Sequence, residues 1–215
     1  MSEQMRIVYI VDDDDIIRKY FSAVLSAAQL SCRMVESAEA FLTEYDPQQP
    51  GCLLLDVQMP GMTGLELQRQ LNQRGATIPV IFITGHGEIP MVVEALSDGA
   101  FGFLQKPVAT ETLLEQVHKA LERDASNRAE LLEREQILQR FELLTPRERD
   151  VLGLMMAGRS NKAMAGELLL SQRTVELYRA RVMEKTGSRS LAQLVRMAME
   201  LHILQPARPQ SPPTH

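Results

Sequence analysis

The sequence predicts an α/β doubly wound five-stranded parallel sheet followed by a small all-α domain. Three observations carry this expectation. Short apolar runs alternate with amphipathic helical stretches through residues 7–121, the pattern of repeated β/α units. Most of the runs end in a polar functional group, as the carboxyl ends of parallel strands present them. From residue 144 the pattern changes to compact helices with cap residues at their ends.

The strand-like runs lie at 7–11, 31–35, 52–55, 80–83 and 100–104, and the helical stretches between them at 16–28, 38–44, 64–73, 89–98 and 110–121. Residues 122–143 are polar and charged without proline or glycine, which predicts a helical linker whose apolar positions are too irregular for a coiled-coil heptad. Thr145, Pro146 and Glu148 form a capping box with proline at the first helical position. Helices are then expected at 146–157, closed by Gly158, at 161–168, at 172–186, closed by Gly187, and at 191–202. The tail 205–215 carries four prolines and is expected to be disordered. The expected organisation is therefore a first domain at 5–121, a linker at 122–143, a second domain at 144–204 and the tail.

The 215 residues carry a net charge of −5, unevenly spread. Residues 1–121 hold 8 Lys/Arg against 16 Asp/Glu, whereas residues 159–196 hold 8 against 3. An acidic module joined to one with a basic stretch points to nucleic-acid contact by the second. No run approaches the roughly 18 apolar residues of a membrane span, and the first residues lack a signal peptide's pattern, so a cytoplasmic protein without membrane contact is expected. Cys32 and Cys52 sit in or beside apolar runs, as packed thiols rather than a disulfide or metal pair.

Four consecutive acids, Asp12 to Asp15, follow the first strand-like run. Carboxylates so close repel one another unless solvent or a cation intervenes. Asp56, Thr84 and Lys106 follow later runs, and in a doubly wound sheet all of these groups converge on one edge. Two or three aspartates without histidine or cysteine suit a hard cation such as Mg²⁺. Asp56 could then attack phosphorus and become an aspartyl phosphate, with the Thr84 hydroxyl and the Lys106 ammonium serving the phosphoryl oxygens. A single aspartate after an apolar run is most often a cap or turn residue. The ordered constellation is what promotes it.

Val11-Asp12-Asp13, Leu55-Asp56, Met59-Pro60-Gly61 with Gly64, Thr84-Gly85-His86-Gly87 and Lys106-Pro107 closely resemble receiver domains of two-component response regulators, which share a flavodoxin-like fold. The resemblance implies that Asp56 accepts phosphate from a sensor histidine kinase. It further implies that Asp13 binds Mg²⁺ directly, that Asp12 does so mainly through water, and that the Gln58 backbone carbonyl completes the protein ligands. Asp14 and Asp15 fall outside the matching pair and are read as a solvated helix start. Phe103 occupies the place of an aromatic switch whose ring turns inward as Thr84 moves toward the phosphoryl group. Lys106-Pro107 permits a cis peptide.

Leu144 to Glu148, Val151-Leu152, Gly158, Asn161-Lys162, Ala165, Ser171, Thr174-Val175 and Lys185 resemble LuxR-type helix-turn-helix domains. With a receiver, this order is similar to the FixJ/NarL family of transcription regulators. Ser171 can cap a helix that buries Val175, Tyr178 and Val182 and suits a DNA major groove. The resemblance places Glu176, Leu177 and Ala180 at base edges, and Asn161, Lys162, Arg173, Thr174 and Arg179 are candidates for backbone contacts. Two departures stand out. Leu169 replaces a frequent glycine, which predicts a tighter packed or altered turn, and Tyr178 replaces a frequent histidine.

The reading implies a regulator of transcription, most often an activator in this family, that dimerises on phosphorylation and binds double-stranded promoter DNA. RNA polymerase is an expected further partner. An aspartate-nucleophile phosphatase is the enzyme alternative; such enzymes have a second aspartate two residues after the nucleophile, where this chain has Gln58. A DNA-binding module whose first domain only dimerises leaves the pocket unexplained.

Overall fold

The computed structural model describes residues 5–85, 96 and 98–201. His86-Gly87 of the expected motif, most of the helix expected at 89–98, and the tail lie outside the described residues. The chain divides into two compact units, Met1–Ala129 and Glu130–His215.

The first unit is a five-stranded parallel sheet in the order β2-β1-β3-β4-β5. Its strands are β1 (Ile7–Val11), β2 (Ser31–Val35), β3 (Gly51–Asp56), β4 (Val80–Thr84) and β5 (Gly102–Gln105). The three inner strands are apolar up to Asp56 and Thr84 at the ends of β3 and β4, because both faces are covered. Alternate residues feed two cores. Tyr9, Val11, Leu53, Leu55 and Phe82 pack with α2 (Ala38–Glu44) and α3 (Gly64–Gln73). Val8, Ile10, Cys52, Leu54, Ile81 and Ile83 pack with α1 (Asp15–Ala27) and the first turns of α4 (Thr110–Glu142). Strand order reverses at β1, which leaves a crevice beyond the carboxyl ends of β1 and β3.

Contacts of α4 reach beyond the expected domain end at residue 121. Asp124, 1 % exposed, accepts from the Gly51 amide at 2.9 Å and from Arg128 Nε at 2.9 Å. Arg128 also donates to the Gln48 and Gln49 carbonyls. These bonds tie the segment 124–128, expected as linker, to the amino end of the sheet, opposite the acidic edge. Toward its other end, α4 gives Phe141 to the core of the second unit, with Ile137 and Leu138 packed against it.

The second unit comprises α5 (Pro146–Met156), α6 (Asn161–Leu168), α7 (Gln172–Thr186) and α8 (Leu191–Glu200). Thr145 and Glu148 form the expected capping box, and Ser160, Ser171 and Ser190 each cap the next helix through the side-chain oxygen. Glu148, 2 % exposed, also accepts from Lys185 Nζ at 2.7 Å, which pins α5 to α7. That bond and the bonds from Thr145 hold its carboxyl below the usual glutamate value despite burial.

The turn after α6 keeps a glycine-like conformation without a glycine. Leu169 has φ 55° and ψ 45° and is 92 % exposed, so its side chain adds no packing and the left-handed backbone carries the strain of a Cβ. Leu169→Gly is expected to stabilise this unit by about 0.5–1 kcal/mol, the strain relief being partly offset by unfolded-state entropy. Denaturant melting of the variant beside the parent chain checks this.

Candidate functional site

Parallel strands deliver four side chains to the carboxyl edge of the sheet. Asp12 follows β1, Asp56 ends β3, Thr84 ends β4 and Lys106 follows β5. Gly64 lets α3 start against the end of β3, since a Cβ there would lie 2.1 Å from the Asp56 carbonyl oxygen. The Lys106-Pro107 peptide is cis.

Lys106 joins the two buried carboxylates. Its Nζ lies 2.9 Å from Asp12 Oδ2 and 2.6 Å from Asp56 Oδ1, with Asp12 2 % and Asp56 7 % exposed. Asp56 Oδ2 accepts from the Gln58 backbone N–H at 2.8 Å, and Asp12 Oδ1 from the Asp14 backbone N–H at 2.8 Å. Burial pushes the Asp56 carboxyl above the usual aspartate value; Lys106 opposes this and Asp12 adds to it. Lys106 is held above the usual lysine value because its bonds to Asp56 and Asp12 together outweigh desolvation, the largest single influence.

The other expected residues stand outside this ion triad. Asp13 is exposed on the loop after β1. Thr84 is buried, and its hydroxyl donates to the Gly85 carbonyl at 2.9 Å. Phe103 is 46 % exposed on edge strand β5. Gln58 meets Asp56 through its backbone N–H. Asp14 caps α1 by accepting from the Ile16 amide, and Asp15 opens the helix, paired with Lys19. The unflagged participant is Arg18, which donates through Nη1 to the Asp12 carbonyl at 2.6 Å and meets Asp15 at 3.4 Å. A basic residue one turn into a helix that opens on acids was the available signal.

The donors at this edge are hard oxygens, and one ammonium serves two buried carboxylates. That donor chemistry fits a hard divalent cation. Among the described residues no group of three or more His, Cys, Asp or Glu side chains is gathered as a metal cluster.

In the second unit, α7 buries Val175 and Val182 and half-buries Tyr178. Its exposed side carries Arg173, Glu176, Leu177 and Ala180, and Lys162 is exposed on α6. Asn161, Thr174 and Arg179 are half-buried. Thr174 shares a 2.8 Å hydroxyl bond with Ser171, while Asn161 Nδ2 donates to Glu176 at 3.4 Å. Arg181 is also exposed on α7. Leu177 stands 50 % exposed among these polar groups.

A parallel sheet with buried carboxylates and a lysine at its carboxyl edge, in one chain with a capped helix-turn-helix unit, defines a response regulator with a DNA-binding role. Residues 8–118 match the response regulator receiver domain family, and residues 142–198 match the luxR family of bacterial regulatory proteins. The transcriptional regulatory protein FixJ of Azorhizobium caulinodans is 42 % identical over 192 residues, covering 89 % of this chain and 91 % of that protein. FixJ of Rhizobium meliloti is 41 % identical over 192 residues, covering 89 % and 94 %. The solved structure of the response regulator StyR superposes with a TM-score of 0.80 at 40 % identity, covering 91 % of this chain and 99 % of that one. The chain belongs to the FixJ/NarL family of two-component response regulators, a receiver followed by a LuxR-type helix-turn-helix. Such a chain is a regulator rather than a turnover enzyme. Among the described residues no helix is long and apolar enough to cross a membrane.

Proposed function

We propose that Asp56 accepts a phosphoryl group from a sensor histidine kinase, and that the phosphorylated chain dimerises and regulates transcription from promoter DNA. The observation that carries this reading is the Lys106 ammonium bridging Asp12 and Asp56. It keeps Asp56 ionised against burial, so a carboxylate oxygen is available as nucleophile. As the O–P bond forms, the N–P bond of a phosphohistidine breaks, and an imidazole already protonated on its other nitrogen leaves neutral.

Asp12, Asp13, Asp56 and the Gln58 carbonyl would hold Mg²⁺. When bound there, the cation supplies charge neutralisation for the phosphoryl oxygens. Lys106 exchanges the Asp56 carboxylate for a phosphoryl oxygen, and Thr84 gives up its bond to Gly85 to donate to another. Phe103, now exposed, turns into the space that Thr84 leaves. This changes the surface around β5 and the start of α4, where a second copy would dock, and gives two α7 helices to paired half-sites.

In the DNA complex, Glu176 accepts from a cytosine amino group, while Leu177 and Ala180 meet thymine methyls. Lys162 and Arg173 reach phosphates, with Asn161, Thr174 and Arg179 supporting the backbone register. The naming of both FixJ relatives as transcriptional regulatory proteins supports this role. An activating contact with RNA polymerase follows the habit of the family.

The test is selection of bound sequences from a random DNA pool with and without a small phosphodonor and Mg²⁺, beside sedimentation of the same samples. A phosphodonor-dependent gain in both DNA affinity and dimer supports the reading; no gain in either sinks it. On the selected site, Arg173→Ala and Lys162→Ala should each weaken binding and reduce the slope of log affinity against log salt by about 0.9. Unchanged binding in both variants would reject α7 as the reading helix.

A further inference from the structure

We propose that Arg18 is a positioning residue for the acidic loop, setting how well Asp12 and Asp13 hold Mg²⁺; this rests on the metal reading given above. Four successive carboxylates leave the end of β1, and their mutual repulsion favours a splayed loop. The structure holds the loop in one conformation through a short chain of bonds. Asp12 Oδ1 accepts from the Asp14 amide, and Asp14 Oδ1 accepts from the Ile16 amide, both at 2.8 Å. The strand-side end of the loop is fixed by Arg18, whose Nη1 donates to the Asp12 carbonyl at 2.6 Å.

Two details separate this bond from an ordinary surface ion pair. The Arg18 side chain is only 12 % exposed, and its short contact is to a backbone carbonyl, whereas its carboxylate contact with Asp15 is 3.4 Å long and half in solvent. The carbonyl belongs to the peptide that joins Asp12 to Asp13. Fixing that peptide plane fixes the position of the Asp13 Cα, from which the side chain departs, relative to Asp12. Groups that orient ligands without touching the metal commonly change metal affinity by about 10- to 100-fold when removed.

Arg18 also carries a positive charge, which by itself would oppose a cation at the site. The two effects have opposite signs. Losing the donor weakens Mg²⁺ binding, whereas losing only a repelling charge strengthens it.

The experiment titrates Mg²⁺ into the unphosphorylated full chain with no phosphodonor, reading affinity from the rise in melting midpoint with concentration. Arg18→Met keeps the aliphatic stem and removes donor and charge; Arg18→Lys keeps a donor and the charge. Arg18→Met is expected to raise the Mg²⁺ dissociation constant about tenfold, and Arg18→Lys to remain within about twofold of the parent. Unchanged or tighter binding in Arg18→Met overturns the proposal, as does an Arg18→Lys variant as weak as Arg18→Met. If Arg18→Met lacks a cooperative transition, Arg18→Gln replaces it, with the same weakening expected and unchanged or tighter binding again decisive against. Asp13→Asn runs in parallel. If Asp13→Asn binds Mg²⁺ as the parent does, the metal reading has failed; if it binds weakly while Arg18→Met does not, only the role of Arg18 has failed.

Discussion

Asp56→Asn is expected to gain no phosphoryl group from a small phosphodonor and Mg²⁺, under conditions where the parent chain gains one by intact mass. The amide has no anionic oxygen to attack phosphorus. The same variant should melt at or above the temperature of the parent at neutral pH. Burial raises the Asp56 carboxyl above its ordinary value of 3.8, so the folded chain holds the ionised form at a cost that the unfolded chain does not bear. Removing that charge leaves Lys106 paired with Asp12 alone. A clear fall in melting temperature would mean that the ion triad stabilises the fold instead of being held by it.

Lys106→Met carries the second large effect, in the opposite direction. It leaves Asp12 and Asp56 buried without the ammonium that now bonds both. Removing one member of a buried ionic set costs about 3–5 kcal/mol, and the partial exposure of Lys106 places the expectation near the lower end, about 3 kcal/mol. The pH dependence follows from the carboxylates. Asp56 is already raised, and loss of Lys106 removes an influence that lowers it. The penalty is therefore greatest where Asp56 is ionised, near neutral pH and above. It shrinks as the pH falls through the raised value toward 3.8, because the neutral acid needs no counter-charge. Mg²⁺ should recover part of the loss at neutral pH by mass action on the folded state. Urea melts at several pH values, with Mg²⁺ and with chelator, measure all three features; a penalty independent of pH would show that packing of the lysine stem, not its charge, is what was lost.

The acidic edge was legible because parallel strands have a fixed direction. Once the runs at 7–11, 52–55 and 80–83 are strands of one parallel sheet, the residues at their carboxyl ends share an edge whatever the loops do. The helical half was legible for a similar local reason. Ser160, Ser171 and Ser190 cap helices through bonds within three residues of themselves, and such short-range bonds are written in residue order.

What lay out of reach depends on residues far apart in sequence. Residues 122–143 read as a linker because their composition is polar, yet Asp124 bonds Gly51 and Arg128 bonds Gln48 and Gln49. Polar composition does not distinguish a solvated charge from one satisfied by a distant backbone. Leu169 suggested a changed turn, but the left-handed conformation persists with the side chain in solvent, because the chain must reverse there between α6 and α7.

By itself, then, the sequence determined the parallel sheet, the helix-turn-helix and the edge at which Asp12, Asp56, Thr84 and Lys106 gather, since periodicity, capping and strand direction are local properties. Only the tertiary structure decided which of those groups touch. It joins Lys106 to both carboxylates, turns Thr84 to the Gly85 carbonyl, leaves Phe103 outward and brings Arg18 onto the Asp12 carbonyl. The physical reason is that a side-chain partner is chosen by packing and desolvation among all groups within reach, and that set exists only after the chain has folded.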